Sequence, residues 1–378
     1  MPDLPVRPPC CCSSKAECAP KSAPETSRPE RTEPYLDGWI ESSAGPVPRL
    51  STRLSASDRR GALKMRWGMG RDRYAVLPGL YAAGAPDAQS PVLVTANYKL
   101  TVDRLRSRLS GFDAWILILD TKGINVWCAA GKGTFGTDEL EHQIRSTRLD
   151  AIVAHRKLIL PQLGAPGVSA HEIAKRTGFH VNYGPVRVQD LPAYLRSGFQ
   201  ATEEMRRVRF DVADRLRQVP VELTTGLKYL APAVLILALM GGAAALYIGF
   251  GKAVESAAIF ALCGILAYLA AGILTLILLP WLPGRAFSLK GVWIGLGLSA
   301  LCGLFFTLHP GATSGTWTAA GWMVLFPTLT SFIAMNFTGS TPFTSLSGVR
   351  YEMRRAVPLQ VIGAVSALGL WIAGVFVR

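Results

Sequence analysis

Acidic residues are almost missing from the C-terminal part of this 378-residue chain. Residues 228–378 contain eight Lys or Arg and only two Asp or Glu, whereas the whole chain contains 40 basic and 26 acidic residues. Such a low charge excludes an ordinary water-exposed surface for this part. The first 34 residues contain no apolar segment of the kind found in signal peptides, so we expect no secretory export.

Several site signatures are also missing. The five histidines have no zinc-ligand spacing, no serine stands in a nucleophile elbow, and no glycine pattern matches a Walker A loop. The net charge of +14 is not accompanied by a basic patch interleaved with aromatic residues. We therefore expect no nucleic-acid partner, and we attribute the positive charge to membrane topology and anionic lipid.

Five apolar segments in the C-terminal part are of a length that can cross a bilayer. None of them contains an internal run of ionisable residues, which favours an anchor or docking platform over a transport path. We therefore expect an all-α transmembrane domain at residues 228–378. Its five spans are predicted at 229–249, 256–279, 289–308, 317–335 and 357–377.

The basic residues of the loops predict an orientation. If the N-terminal part is cytoplasmic, the inside loops contain five basic residues and the outside segments contain two. We therefore expect a multi-pass protein of the cytoplasmic (inner) membrane, with its soluble domain in the cytoplasm. The inside residues are Arg285, Lys290, Arg350, Arg354 and Arg355, and the outside residues are Lys252 and Arg378.

Residues 1–60 are rich in Pro and polar residues and contain a cluster of four cysteines, Cys10, Cys11, Cys12 and Cys18. Their composition predicts a disordered tail. The favoured interpretation of the cysteines is a flexible tail with reduced thiols. The alternative is a soft-metal catch, because clustered thiolates bind soft ions.

Residues 72–225 alternate short apolar strands with helices, which predicts an α/β domain with a mostly parallel sheet and helices on both faces. Thr101, Thr137 and Ser169 are expected to cap three of the helices. Ligands of such sheets bind at the carboxyl ends of the strands. Four loops are expected to gather there: 95–98, 120–134, 161–167 and 182–186.

Cys128 is the only cysteine of the predicted soluble domain and lies in the segment Asn-Val-Trp-Cys-Ala-Ala-Gly-Lys, residues 125–132. We expect a Gly/Ala-rich turn here, in which the thiol can act as a metal ligand or nucleophile. The alternative is a small buried apolar side chain. Residues 131–136 also match G-x-G-x-x-G, but the preceding strand ends eleven residues earlier, so the match to a dinucleotide site is weak.

Residues 125–132 closely resemble the signature of the mercury-methylating corrinoid proteins. The soluble domain is also similar to the corrinoid domain of the iron–sulfur corrinoid protein of the acetyl-CoA pathway, but the iron–sulfur cysteine motif of that protein is missing here. The first resemblance extends through residues 95–100, 119–125, 135–137, 155–167 and 183–186, and through 335–339 and 345–349 of the membrane part.

The resemblance implies a Rossmann-like corrinoid-binding domain followed by the five-helix membrane domain. It implies a corrinoid-dependent methyltransferase in which Cys128 is the lower axial cobalt ligand and a methyl group passes from methyl-cobalt to mercury(II), forming methylmercury. A two-cluster [4Fe-4S] ferredoxin-like protein would donate electrons. The methyl donor would be linked to methyl-tetrahydrofolate, and the acceptor would be a mercury(II) thiolate.

The resemblance places the corrinoid among the edge loops. Two alternatives remain open: a membrane-anchored corrinoid methyl carrier of one-carbon metabolism that does not act on mercury, and a membrane-anchored nucleotide-binding or scaffold protein. Cys10, Cys11, Cys12 and Cys18 are a candidate mercury relay. The expected cofactor-binding residues are Thr95, Asn97, Asp120, Thr121, Gly123, Asn125, Val126, Trp127, Ala129, Ala130, Gly131, Lys132, Gly133, Thr134, Gln162, Gly164, Tyr183 and Gly184.

Overall fold

A computed structural model describes residues 33–70, 73–309, 315–337 and 346–377. They form a seven-stranded sheet with helices on both faces, followed by five long apolar helices. The predicted fold class is confirmed. The four N-terminal cysteines Cys10, Cys11, Cys12 and Cys18 lie outside the described residues, so their proposed relay stays a prediction.

The sheet has seven strands: β1 (Leu36–Ser42), β2 (Gly45–Leu50), β3 (Gly79–Ala83), β4 (Val92–Ala96), β5 (Ala114–Leu119), β6 (Lys157–Leu160) and β7 (His180–Tyr183). Their order is β1-β2-β3-β5-β4-β6-β7. The pairs β5–β4, β4–β6 and β6–β7 are parallel, whereas β1–β2 and β3–β5 are antiparallel. The parallel half therefore places four carboxyl ends at one edge.

The helices are α1 (Ala56–Arg66), α2 (Lys99–Arg106), α3 (Val126–Lys132), α4 (Thr137–Ser146), α5 (Leu149–Ile152), α6 (Ala170–Thr177), α7 (Leu191–Arg196), α8 (Glu203–Arg206), α9 (Val212–Ala245), α10 (Phe250–Leu269), α11 (Thr275–Leu278), α12 (Phe287–Leu308), α13 (Thr316–Met335) and α14 (Leu346–Phe376). A π-helical turn at Ala270–Leu274 joins α10 to α11.

The central strands β4 and β5 are buried on both faces. Leu93 and Ile116 point to the cluster that contains side chains of α2 and α7, whereas Val94 and Leu117 point to the cluster that contains side chains of α3, α4 and α6. Strands covered on both faces need apolar residues at every position, and this explains their unbroken apolar runs.

The prediction of disorder up to residue 60 is wrong for the described part of that range. β1 and β2 form a hairpin at the edge of the sheet, and Leu50 is only 1% exposed in the core. Ser55 then caps α1 with a capping box completed by Asp58. β3 was also not predicted, because its short sequence pairs only with strands distant in the chain.

Two predicted caps differ from the structure. α2 begins at Lys99 after Tyr98, three residues before the position predicted from Thr101. Thr137 is the first residue of α4 rather than its cap, because its hydroxyl oxygen accepts a hydrogen bond from the Ser169 backbone N–H at 2.9 Å. Ser169 does precede α6 as predicted, and Gly178 ends that helix in the left-handed conformation.

A buried ion cluster connects α1 to α2. The Lys99 ammonium lies 2.6 Å from Asp58 and 2.7 Å from Asp103, and the fully buried Arg106 guanidinium binds the same two carboxylates at 2.7 and 2.8 Å. Burial by itself would raise the pKa of Asp58, but hydrogen bonds from Lys99, the Ser55 backbone and Arg106 hold that pKa far below its ordinary value.

Five helices are long and apolar enough to cross a membrane: Val212–Ala245, Phe250–Leu278, Phe287–Leu308, Thr316–Met335 and Arg350–Phe376. Each contains most of one predicted span. α9 passes without interruption across the predicted boundary near residue 227. The sheet domain and the apolar helices are therefore joined through a continuous helix.

Asp58→Asn is expected to destabilise the docking of α1 by about 3 kcal/mol, because Lys99 and Arg106 lose one of their two shared carboxylates and the one that belongs to α1. The measurement is hydrogen–deuterium exchange of α1 amides in the purified full chain. Because the pKa of Asp58 is lowered in the folded state, its stabilisation is present at neutral pH and is lost as the pH falls below the ordinary aspartate value.

The matched control is Asp37→Asn, which removes a largely exposed ion pair with Arg49. This control is expected to change the free energy of opening of α1, as measured by exchange, by less than about 1 kcal/mol. Equal effects of the two substitutions would contradict a structural role for the buried cluster.

Candidate functional site

The loops that follow β4, β5, β6 and β7 meet at the carboxyl edge of the sheet, as predicted. The backbone N–H of Asn97, after β4, donates to the Leu119 carbonyl at 3.1 Å, and the N–H of Gly184, after β7, donates to the Leu160 carbonyl at 2.8 Å. α3 packs against the short helical turn Gln162–Gly164 that follows β6. The edge is therefore a continuous surface.

Asn97 is buried and holds the loop after β5. Its Oδ1 accepts hydrogen bonds from the Thr121 hydroxyl at 2.8 Å, the Gly123 N–H at 2.9 Å and the Thr121 N–H at 3.2 Å, and its Nδ2 donates to Asp120 at 3.2 Å. We had expected a ligand contact from Asn97. Its amide fixes the turn that leads to α3, and its contact with a ligand stays a prediction.

Asp120 stabilises the same turn. Its carboxylate accepts hydrogen bonds from the backbone and the ammonium of Lys122, where the chain has a left-handed φ of 57°. Partial burial would raise the pKa of Asp120, but these hydrogen bonds lower it below its ordinary value. Asp120 therefore orients the loop as a carboxylate.

Glu139 is a residue of this network that the sequence did not reveal. Its Oε1 accepts a hydrogen bond from the Asp120 N–H at 2.7 Å and another from Gln143 at 2.9 Å. The contact joins the first turn of α4 to the end of β5, 19 residues apart. A single acidic residue in a helix start is usual, so no local signal marked this one.

Cys128 lies in the first turn of α3, where we had predicted an irregular turn. Asn125 caps the helix by accepting the Cys128 N–H at 3.0 Å, and Gly133 ends it with a left-handed φ of 80°. Cys128 is half-buried and its thiol is free. The Gly/Ala-rich sequence forms a short helix because Ala129 and Ala130 pack into the core while Gly133 provides the turn.

The G-x-G-x-x-G segment does not have the setting of a dinucleotide site. Gly131 lies inside α3 and Gly133 ends it, so these glycines follow a helix. The dinucleotide fingerprint requires a strand immediately before its first glycine. This placement argues against the nucleotide-binding alternative.

Two glycines allow the loop 161–167 to pack directly beneath α3. A Cβ on Gly167 would lie 2.1 Å from the Phe135 carbonyl oxygen and 3.0 Å from the Ala130 Cα, and a Cβ on Gly164 would lie 2.6 Å from the Phe135 ring. A larger residue at either position would displace the segment that holds Cys128.

The same loop contains an unsatisfied polar atom. The Oε1 atom of Gln162 is buried and accepts no hydrogen bond among the described residues. An unpaired buried oxygen costs free energy unless a ligand or water satisfies it. Tyr183 is also a predicted cofactor-binding residue. Its hydroxyl donates to the Val168 carbonyl at 2.9 Å, and burial raises its pKa.

A cleft of about 630 Å³ opens beside this edge. Its walls come from the ends of β4, β6 and β7, from the start of α3, from α2 and from the first turns of α9. Six arginines line it against a single acidic residue, Asp214. They are Arg66, Arg104, Arg108, Arg187, Arg209 and Arg217.

The arginines differ in how they are paired. Arg187 lies 2.5 Å and Arg217 lies 2.8 Å from Asp214. Much of the Arg104 side chain is exposed along the cleft, yet burial around its guanidinium and the like charges of Arg66 and Arg217 lower its pKa. An anion bound here would relieve that repulsion.

The predicted site residues thus divide into groups. Thr95, Asn125, Val126, Trp127 and Gly184 line the cleft. Gly131, Lys132 and Gly133 are exposed beyond it, and Thr134 is half-buried. Asn97, Asp120, Thr121 and Gly123 form the network that positions α3. Ala129, Ala130 and Gly164 pack inward, and their part in cofactor binding stays a prediction.

Comparisons with known proteins show that this domain is similar to subunits of acetyl-CoA decarbonylase/synthase complexes. Residues 70–195 match the family described as CO dehydrogenase/acetyl-CoA synthase delta subunit. The gamma subunits of the acetyl-CoA decarbonylase/synthase complexes of Methanopyrus kandleri and Archaeoglobus fulgidus are 34% and 32% identical over 137 and 130 residues. The matches cover 35% and 34% of this chain.

The chain spans less than a third of the length of these relatives, 29% and 27% respectively. The family match includes β3 to β7 and α3, and it ends before α9. The predicted relation to the acetyl-CoA pathway protein is therefore supported for the sheet domain. The resemblance to the mercury-methylating family stays a prediction.

Asn97→Ala is expected to lower the free energy of opening of residues 121–128 by about 2 kcal/mol, because three hydrogen-bond donors lose their acceptor. Hydrogen–deuterium exchange of this segment in the full chain measures the effect. Asn182→Ala, which changes an exposed asparagine on β7, is the matched control and should leave the segment unchanged. Unaltered protection in the Asn97 variant would show that the amide does not hold the turn.

Proposed function

We propose that this chain is a membrane-anchored, corrinoid-dependent methyltransferase that transfers a methyl group to mercury(II) and forms methylmercury. The observation that carries the proposal is the free, half-buried thiol of Cys128 at the carboxyl edge, next to a large cleft. Similarity to the acetyl-CoA decarbonylase/synthase gamma subunits supports the role of methyl carrier. The segment 125–132 supports mercury(II) as the acceptor.

The residues at the edge fit a large cofactor that carries amides and a phosphate. The buried Gln162 oxygen is available as an acceptor for an amide N–H. No atom lies within 4 Å of a Cβ built on Gly131 or Gly133, so the backbone there is open to a broad ligand. The arginine-lined cleft matches a phosphate group.

When bound, the corrinoid supplies a cobalt centre that accepts a methyl group from one partner and gives it to another. Cys128 would hold the cobalt through its sulfur, since a thiolate is a soft, electron-rich donor. Such a ligand donates electron density to the metal, as axial thiolate does in haem enzymes. Asn125 fixes the backbone of Cys128, and Trp127 at the cleft wall provides apolar cover.

The remaining assignments follow from this role. The corrinoid domain would comprise the sheet, including β1 and β2, with its helices, and the apolar helices that begin with α9 would anchor it. The charge of the loops favours a cytoplasmic side for this domain. The described residues contain no cluster of three metal-ligating side chains that could hold an iron–sulfur centre. Electrons would therefore come from the two-cluster ferredoxin-like partner, and the methyl group from a donor linked to methyl-tetrahydrofolate.

Cys128→Ala is expected to abolish methylmercury formation, because it removes the proposed cobalt ligand without adding bulk. The measurement is methylmercury produced by anaerobic cells that express the full chain with its ferredoxin partner. A variant in which Cys10, Cys11, Cys12 and Cys18 are all Ser is the thiol control. This variant should have the same corrinoid absorption spectrum as the unchanged protein, because Cys128 is retained. Its rate of methylation at low mercury concentration tests whether the four N-terminal cysteines deliver mercury.

The outcomes separate the candidate functions. Methylation by the Cys128→Ala variant would refute the ligand role. A purified chain that binds corrinoid but forms no methylmercury would instead be the methyl carrier of one-carbon metabolism, the second candidate that the relatives favour.

Arg104→Gln is expected to weaken corrinoid retention by about tenfold, because the Arg104 guanidinium, which has no ion-pair partner among the described residues, would no longer form a charge-assisted contact with phosphate. Equilibrium dialysis of the corrinoid against the full chain measures this. Lys175→Gln on α6 removes an exposed charge outside the cleft and is the control. Equal retention by the two variants would remove the cleft from the cofactor site.

A further inference from the structure

The exposed side of α1 has an apolar stripe along its middle. Asp58 and Met65 point inward and are buried, whereas Leu63 and Trp67, four positions apart, are exposed, and so is Met69 just after the helix. Residues four positions apart lie on the same side of a helix. Half of the large apolar side chains that are exposed in the described sheet domain therefore lie within residues 63–69. Such a cluster marks a surface for contact with a membrane or another molecule.

Basic side chains flank this stripe. Four basic residues of α1 are exposed and form no ion pair with a described carboxylate: Arg59, Arg60, Lys64 and Arg66. With about 3.6 residues per turn, two of them lie on each side of the stripe. Asp58 is the only acidic residue of α1, and its buried carboxylate binds Lys99 and Arg106. The exposed side of α1 is therefore cationic around an apolar middle.

The end of α1 lies against α9 shortly before that helix becomes apolar. A Cβ built on Gly68 would lie 3.2 Å from the Thr224 hydroxyl oxygen and 3.5 Å from a Val221 methyl carbon. Thr224 precedes Tyr229, where the first predicted span begins, by roughly 7.5 Å along the helix. The Lys228 ammonium lies 4.8 Å from the centroid of the Tyr229 ring, and both side chains are exposed. Aromatic and basic residues of this kind mark the boundary between membrane and water.

These positions place the stripe at the level of the lipid headgroups. The headgroup layer extends roughly 5 to 7 Å beyond the apolar core of a bilayer. At that depth Leu63 and Trp67 can enter the boundary between headgroups and acyl chains, while the flanking cations contact phosphates. Because α9 anchors α1 beside the bilayer, lipid is present at a high effective concentration, which favours lipid over a protein partner that must diffuse to the same face.

We propose that the exposed side of α1, with Leu63, Trp67 and Met69 at its centre, is a binding surface for anionic phospholipids. The contact holds the sheet domain against the bilayer. Arg66, the last residue of α1, also lines the cleft at the sheet edge, so the contact keeps that cleft at the membrane surface. This inference does not depend on corrinoid binding.

The test uses the full chain in nanodiscs of phosphatidylcholine, with and without phosphatidylglycerol, made with brominated or ordinary acyl chains. Bromine quenches tryptophan emission at contact distance. The emission of Trp67 is the difference between the unchanged chain and a Trp67→Phe variant. We expect bromine to remove more than about half of this emission in the discs with phosphatidylglycerol, and much less in the neutral discs.

Arg59→Gln combined with Arg60→Gln should restore most of the Trp67 emission, because each cation near an anionic surface adds to the attraction. Lys157→Gln combined with Lys175→Gln is the matched control. It removes the same charge from exposed positions on β6 and α6 and should leave the quenching unchanged. Each pair of substitutions is measured with its own Trp67→Phe reference.

Two results would overturn the proposal. Trp67 emission that is unaffected by bromine in both kinds of disc would show that lipid does not reach this face, which would then belong to a protein partner or a second copy of the chain. Equal quenching in neutral and anionic discs, unchanged by the loss of Arg59 and Arg60, would show that anionic lipid is not selected.

Discussion

The position of Cys128 depends on one side-chain amide at the end of a buried strand. Asn97 directly follows β4, and its side-chain oxygen lies inside the turn after β5. There this oxygen accepts three hydrogen bonds. Because β4 and β5 are adjacent parallel strands, this amide fixes the two carboxyl ends to each other and sets the start of α3 at Asn125. The thiol is therefore held by the rigid part of the sheet.

The apolar helices are connected to the same edge through α9. Arg187, in the loop after β7, binds Asp214 in the first turn of that helix. Arg215, one residue further, donates to the Ile277 carbonyl at the end of α11 and lies 5.1 Å from the Trp281 ring. The first turn of α9 therefore both lines the cleft and contacts the apolar helices.

The parallel half of the fold was predictable because β4 and β5 are apolar at every position and are separated by helix patterns. β1 and β2 were not, since β2 begins with Gly45 and contains two prolines, and the hairpin joins the sheet through β3, which lies some thirty residues later in the chain. At the site, Cys128 was identified from its neighbours. Its helical setting and the role of Asn97 depend on contacts across the sheet edge that no local pattern encodes.

The three free thiols among the described residues have two different surroundings, and this difference limits what each can do. Cys128 is half-buried at the sheet edge, and its neighbour Trp127 lines the arginine-rich cleft. Cys263 and Cys302 lie in an aromatic cluster, where two bare thiolates would be very costly. The apolar cluster therefore suits neutral thiols, whereas the sheet edge suits a thiol that binds a metal.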